Sequence, residues 1–594
     1  MEKKFTGYPS IDLPQCKDST YFEKNPIIPS IDTITILKLL SRKIRNSIAV
    51  NCDDLKVSYQ KLIDDSHIIA KSLLELGVRK GNIVTISLPS NYQALLTFLA
   101  LNEIGAVTTF IDTYSSKDDI INYLNNYESP VFIDFNKSAE ELIDIKNNSK
   151  VKYIISLNDQ LVNSTNLNNS LDMKNDWYID FHTLGTISNF KRNTLIFPNG
   201  GNTNSLILYT SGSTGQPKAV VLTNKNVLAA QLYAGNTSHT ENITGTKTMT
   251  CVPLRYPYGM VTSLLTSLLW GKEAIMTPRW DSNTVQYYYS KNPNIVFGSP
   301  AVLDLTMRFV PENMDLSQIS HFISGGDFLT IQHANRGYDF FKKHNNSIVE
   351  IGNGCGNAET VSIGSTPVGV PLKQSTAGKI LVGSKPLIID KNISDDMPII
   401  DGNKLAEKKY NEIGELCLAG EHVFKEYFGE PAKTACAKFI RNGETYFRTG
   451  TLGFIDEDGY FTPTDRKSRF YIRSTGHKVY LDNVQHFISS VDERILDCAV
   501  VKVPDEDELY VNKAYIVLKP NIDEIDSVLS DISRKLKEPL EVLGRKTQLK
   551  EYELPKFFEF VDELPRIAGT EKIDYASLEE AAKNELVGTK LILK

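Results

Sequence analysis

The sequence predicts a multi-layer α/β (α+β) protein: a large N-terminal domain of packed αβ subdomains followed by a small C-terminal α+β domain. Three observations carry this. Strand-like and helix-like runs alternate from about Ile34 onward. The alternation breaks off and restarts with a compact set of runs near positions 464–466. The chain has 594 residues, too many for one hydrophobic core.

Residues 1–30 are irregular and punctuated by prolines, as an arm on a domain surface would be. Over 58–76, Leu62, Ile63, Ile69, Ala70, Leu73 and Leu74 fall on one helical face, and Gly77 follows. "NIVTISLPS" at 82–90 reads as a buried strand, Tyr92–Ile104 as a helix and 107–111 as a strand. The stretch 155–200 is rich in Asn, Ser, Thr and Asp and reads as loop. "SLILYT" and "KAVVLT" read as two strands joined by a hairpin-like connector. Near 465, "GYFTPTD" and "RFYIRS" read as a strand pair opening the second unit. A helix near 483–492, the strands "LDCAVVKVP" and "NKAYIVLK", and a helix marked by Ile525, Val528, Leu529, Ile532 and Leu536 complete it. This gives domains at 1–465 and 466–594.

Composition excludes several function classes. Apolar residues make up 41% and charged residues 23%, ordinary for a soluble globular chain. The net charge of -7, from 65 basic and 72 acidic residues, gives no electrostatic case for binding nucleic acid or an anionic membrane. No run approaches ~18 apolar residues, so no integral membrane association is expected. "MEKKFTGYPSIDLPQ" lacks the apolar core of a signal peptide. Cysteines at 16, 52, 251, 355, 417, 436 and 498 form no CxxC pair, as expected of reduced thiols in a cytoplasmic protein.

The connector between the two strands, "SGSTGQPK", is the most informative segment. Gly212 and Gly215 permit positive φ and close approach of a ligand to the backbone. Successive N–H groups in such a loop make an anion-binding nest. Thr210, Ser211, Ser213 and Thr214 add hydroxyl donors, and Lys218 adds a point charge. A simple turn needs none of these. Lys218 opens a strand, so this is not the P-loop, whose lysine opens a helix.

"LILYTSGSTGQPKAVVLTNKNV" at 206–227 resembles the signature of the adenylate-forming superfamily, closest to acyl-CoA synthetases. The resemblance extends through "ISGGDFLT", "NGCGNAET", "NEIGELCLAG", "FRTGTLGFIDEDGYF", "DRKSRFYIRSTGHKVYLDNVQ" and "ELPRIAGTEKIDYASLEE". It implies ATP-dependent conversion of a carboxylic acid to an acyl-adenylate. Transfer to the thiol of CoA follows, with AMP and pyrophosphate released. It further implies Mg2+ on Glu359, a catalytic Lys572 that bridges carboxylate and α-phosphate, and Lys218 in the phosphate cradle. Gly326, Asp327, Cys355, Gly356, Ala358, Thr451 and Arg466 join the cradle as nucleotide-binding positions. Ser468 becomes the hinge of a mobile C-terminal domain, and Gly476 approaches the thiol. Tyr256, Gly259, Gly298 and Pro300 would line an apolar acyl pocket, suiting a fatty or other apolar acid.

Several positions depart from the family pattern. Thr451 stands where the family has the aspartate that holds both ribose hydroxyls. Cys355 replaces an aromatic that stacks on adenine, Ala358 a threonine, and Glu571 the glycine before the lysine. "PLRYPYGMVTSLLTSLLWG" has no acid to hold an amino group, which disfavours amino acid substrates. Two alternatives remain: a stand-alone adenylating enzyme loading a carrier protein, and a degenerate non-catalytic relative.

Overall fold

The computed structural model describes residues 6–12, 27–158, 176–187, 198–210, 217–237, 245–327, 329, 331–365, 373, 376–473, 477–505, 509–520, 522, 525–542, 545–567 and 572–585. Two large sheets dominate. The first has eight strands, in the order Glu426–Tyr427, Ala219–Thr223, Asn204–Tyr209, Val107–Phe110, Ile83–Ile86, Val131–Phe135, Tyr153–Leu157, Tyr178–Asp180. From Asn204–Tyr209 onward all neighbours are parallel. The second has nine, and its parallel centre runs Glu350–Cys355, His321–Ser324, Ile295–Gly298, Lys247–Thr250, Glu273–Met276, Ile48–Cys52.

One core joins the two sheets. Val84 and Ile86 of the first and Ala274 and Met276 of the second belong to a single buried cluster with Leu62, Leu73, Phe98, Met260 and Leu264. The helix Tyr92–Ile104 is buried on every face, as an all-round apolar helix must be. Its start is set by Asn91, whose side chain accepts from the Ala94 N–H at 3.0 Å. Ser58 does the same for Tyr59–Glu75, accepting from Lys61 N. Both helices therefore begin where the sequence places them.

A third, five-stranded sheet carries Lys385–Ile389, Gly414–Ala419, Glu444–Ile455, Lys438–Arg441 and Phe461–Arg466. The N-terminal arm rests on its surround: Ser10 Oγ donates to Glu407 at 2.8 Å and Tyr410 N to Gly7 O at 3.1 Å. The C-terminal part has a three-stranded sheet, Ile495–Asp505, Leu509–Leu518 and Phe557–Phe560, packed against Leu481–Val491 and Ile525–Lys535. The α/β class stands, with a large N-terminal and a small C-terminal part.

Two expectations change. "GYFTPTD" and "RFYIRS" do not pair with each other. Phe461–Arg466 completes the third sheet against Glu444–Ile455, and Phe470–Ile472 pairs with Lys478–Tyr480. The buried Lys467 ammonium, bonded to Ile393 O at 2.6 Å, pins the chain where it leaves the sheet. The stretch 155–200 is not all loop. Phe181 and Leu184 are buried, and the edge strand Tyr178–Asp180 and short helix Leu184–Ile187 form around them. A few apolar anchors suffice inside otherwise polar text.

Candidate active site

A cleft of about 2340 Å³ opens where the parallel strands of both large sheets end, and the C-terminal part closes one side of it. The carboxyl ends of parallel strands are the usual ligand side of such sheets.

Thr210 and Lys218 meet at the mouth of the predicted hairpin. Tyr209 pairs with Ala219, Thr210 N donates to Lys218 O at 3.0 Å, and Lys218 N donates to Thr210 Oγ1 at 2.9 Å. Ser211, Gly212, Ser213, Thr214 and Gly215 lie outside the described residues, as does Gly476. The Lys218 ammonium stands 3.4 Å from the Tyr427 hydroxyl and 4.7 Å above its ring centroid.

Glu359 lies in a tight turn after Glu350–Cys355. Its carbonyl accepts from Phe424 N at 2.7 Å, and its Oε1 accepts from the Tyr427 hydroxyl at 2.7 Å. Burial pushes its carboxyl above the ordinary range, while Tyr427 and Lys218 pull the other way. Val361 in this turn holds a φ of 65°, rare for a β-branched residue and costing about 1–3 kcal/mol. Ala358 is buried beneath the turn, and Gly356 is exposed above it. Cys355 lines the cleft half-buried, and desolvation pushes its thiol up to about 12.

Across the cleft, Thr451 and Arg466 are direct partners on neighbouring strands. Lys572 enters the same space from a hairpin closed by the Ile567 N–H to Lys572 O bond of 2.8 Å. Burial holds its ammonium below the ordinary lysine range, Arg466 adds to this, and Asp327 opposes it. Gly326 and Asp327 line the cleft after His321–Ser324. Ser468 is exposed in the turn between Arg466 and Phe470. Just before it, Lys467 joins a buried network: its ammonium lies 3.1 Å from Glu415 and 2.6 Å from Asp395, and Arg448 contacts the same carboxylates at 2.8 and 2.6 Å. Just after it, the helix Leu481–Val491 has no cap of its own, and Asp465 accepts from Asn483 N at 2.8 Å in that role.

The apolar end of the cleft differs from expectation. Tyr256 and Pro300 line it, but Gly259 and Gly298 are not among the described residues that do. A Cβ on Gly259 would strike the carbonyls of Val252 and Pro253; one on Gly298 would strike Val302. These glycines permit close packing behind the wall. Tyr258, which sequence reasoning missed, also lines the cleft. Its hydroxyl donates to Ile323 O at 2.6 Å, and its ring fills the space where a Cβ on Gly325 would come within 3.1 Å. It opens a π-helix, Tyr258–Leu265, a form frequent at functional sites. Arg255 lies over the Tyr256 ring at 4.9 Å and pairs with Asp112 at 3.1 Å. Tyr427 was also missed; nothing local in "EYFGEP" marks it.

Among the described residues no group of three His, Cys, Asp or Glu side chains could hold a metal ion. Among the described residues, the buried carboxylate of Glu359 lines the cleft on the same Tyr427 hydroxyl as Lys218. That fits magnesium, which is held by one or two carboxylates together with substrate phosphates.

A profile of the AMP-binding enzyme family matches residues 41–428, and one of the AMP-binding enzyme C-terminal domain matches residues 484–571. The chain belongs to the AMP-binding enzyme family. The family, together with relatives named as CoA ligases, supports an AMP-forming acid–CoA ligase. It is similar to the long-chain-fatty-acid–CoA ligase of Bacillus subtilis, 25% identical over 575 residues that cover 94% of this chain and 96% of that one. It is 24% identical to the long-chain-fatty-acid–CoA ligase FadD13 of Mycobacterium tuberculosis, covering 86% of this chain and 91% of the relative. In fold it resembles ATP-bound MatB from Rhodopseudomonas palustris, with a TM-score of 0.75 and 20% identity, covering 93% of this chain and 99% of MatB. The anthranilate CoA ligase AuaEII in complex with anthranoyl-AMP gives 0.76 at 20% identity, covering 94% and 98%.

Proposed function

We propose that the protein activates an apolar carboxylic acid with ATP to an acyl-adenylate and passes the acyl group to the thiol of CoA, releasing AMP and pyrophosphate. One observation carries this reading: Lys218, Glu359, Arg466 and Lys572, from four distant segments, line one cleft that runs on into an apolar end between Tyr256, Tyr258, Phe297 and Pro300. The relatives whose names include fatty-acid–CoA ligase agree with an apolar acid.

In this reading Lys218 and the 210–215 segment bind phosphate oxygens by N–H, hydroxyl and ammonium donors. Lys572 places its positive charge between the incoming carboxylate and the α-phosphate, where negative charge concentrates as the bond forms. Arg466 and Thr451 face the ribose; Gly326, Asp327, Cys355, Gly356 and Ala358 surround the rest of the nucleotide. Glu359 would hold Mg2+, which when bound neutralises phosphate charge. Tyr256 and Pro300 flank the acid. Residues 1–465 and 466–594 act as two domains, turning about Ser468 so that Gly476 replaces Lys572 for the thiol step. A cytoplasmic setting accords with the free cysteines at 52, 251, 355, 417, 436 and 498.

The test is incubation with ATP, Mg2+, CoA and a panel of aliphatic and aromatic acids, with products read by mass spectrometry. Acyl-CoA and AMP in equal amounts are expected. ADP as the nucleotide product, or no thioester with any acid, would refute the proposal.

A further inference from the structure

We infer that Tyr427 is a positioning residue of this site: its hydroxyl stands between Glu359 and Lys218 and keeps each presented to the cleft. The inference rests on the proposed function for what those two side chains meet there, but its geometry is independent of it.

Tyr427 is almost fully buried, at 2% exposure. Its hydroxyl donates to Glu359 Oε1 at 2.7 Å and accepts from the Lys218 ammonium at 3.4 Å. A phenol has one proton to give and lone pairs to receive with, so it can serve a carboxylate and an ammonium at once. Glu359 and Lys218 make no direct ion pair among the described contacts, although both lie on the same hydroxyl. A carboxylate and an ammonium this close, in a partly desolvated wall, would otherwise attract one another strongly. Paired directly, each would be neutralised and turned away from a bound phosphate or metal. The phenol prevents that collapse without adding a charge.

The tyrosine is itself held from several sides. Its short strand pairs with Ala219–Thr223, the strand that Lys218 leads into, with Tyr427 opposite Val220. Its N–H donates to Thr434 Oγ1 at 3.0 Å, and its ring packs on Phe424 at 4.7 Å. Phe424 N in turn donates to the Glu359 carbonyl at 2.7 Å. One segment, 424–427, thus fixes Glu359 by its backbone and by its carboxylate. It also sets the Lys218 ammonium against the Tyr427 ring, a cation–π contact at 4.7 Å.

Tyr427→Phe keeps the ring and the packing and removes only the hydroxyl. The experiment compares wild type, Tyr427→Phe, Glu359→Gln and the double variant. It uses Mn2+·ATP binding followed by electron paramagnetic resonance, acid-dependent pyrophosphate exchange, and reaction of a supplied acyl-adenylate with CoA. Loss of one hydrogen bond to a charged group should weaken Mn2+·ATP binding and slow exchange by roughly ten-fold or more. Thioester formation from supplied acyl-adenylate should be nearly unchanged, while the melting temperature should fall by a few degrees for the one buried hydrogen bond lost. In the Glu359→Gln background Tyr427→Phe should cost little more, because the Glu359–Lys218 ion pairing that the hydroxyl prevents is already impossible there. Wild-type Mn2+·ATP binding in Tyr427→Phe, or full additivity of the two substitutions, would overturn the inference. Wild type that binds Mn2+·ATP but exchanges with no acid would overturn the proposed function alone. Wild type that fails to bind Mn2+·ATP would overturn both.

Discussion

Replacing Glu415 with glutamine should destabilise the protein far more than an isosteric change normally does. Glu415 Oε2 lies 2.8 Å from Arg448 and 3.1 Å from Lys467, and the three side chains are 1%, 3% and 8% exposed. At an effective dielectric near 20, each contact carries about 5–6 kcal/mol of gross attraction, most of it offset by desolvation. Glutamine keeps the shape and removes the charge. It leaves two buried cations sharing Asp395, which is 55% exposed. Removing one member of a buried ionic cluster typically costs about 3–5 kcal/mol. Urea unfolding followed by circular dichroism would read the loss as a lower midpoint at unchanged slope. Adding Lys467→Met should recover part of it, since one orphaned cation is then gone. Because Arg448 and Lys467 flank Thr451 and Arg466, ATP binding should weaken in parallel. A loss under about 1 kcal/mol would mean that these contacts behave as exposed ion pairs, and the reasoning would fail.

Lys572→Ala should slow acid-dependent pyrophosphate exchange by about a hundred-fold or more, the scale of losing one aligned charge at a developing anion. It should spare the reaction of supplied acyl-adenylate with CoA; equal loss in both half-reactions would contradict its role. Thr451→Asp places a bidentate acceptor opposite Arg466. Calorimetry should show ATP binding tighter by about 1.5–3 kcal/mol, and unchanged or weaker binding would mean a pocket remodelled around threonine. Tyr258→Ala should open the apolar end of the cleft and shift the acid preference toward longer chains. Tyr258→Phe should leave the preference alone and cost about 1 kcal/mol of stability for the bond to Ile323 O. Identical acid profiles for wild type and Tyr258→Ala would show that this ring does not limit the pocket.

What could be read from the sequence was what is encoded locally. Ser58 and Asn91 cap the helices they precede, so those helices start where expected. The alternation of strand and helix gave the class, and the hairpin around 205–223 is visible because its strands are close in sequence. The order of strands in the two sheets was not legible, since parallel neighbours are joined by distant segments. The partners of the site were hidden for the same reason. Tyr427 reaches Glu359 across 68 positions and Lys218 across 209, and no local pattern records either. Gly259 and Gly298 lie beside the cleft in close packing, and a glycine signals close packing without saying which side of it holds the ligand. The pairing of 461–466 was misjudged because an apolar strand shows its period but not its neighbour.

The most direct test of the central claim is exchange of labelled pyrophosphate into ATP by the wild-type protein, without CoA, in the presence of single carboxylic acids. Exchange requires reversible formation of an acyl-adenylate and depends on neither the thiol nor the domain rotation. The expected result is exchange that needs an acid, favours apolar acids over amino acids, and falls with Lys572→Ala. Label that never enters ATP with any acid, from protein that binds ATP normally, would contradict the claim.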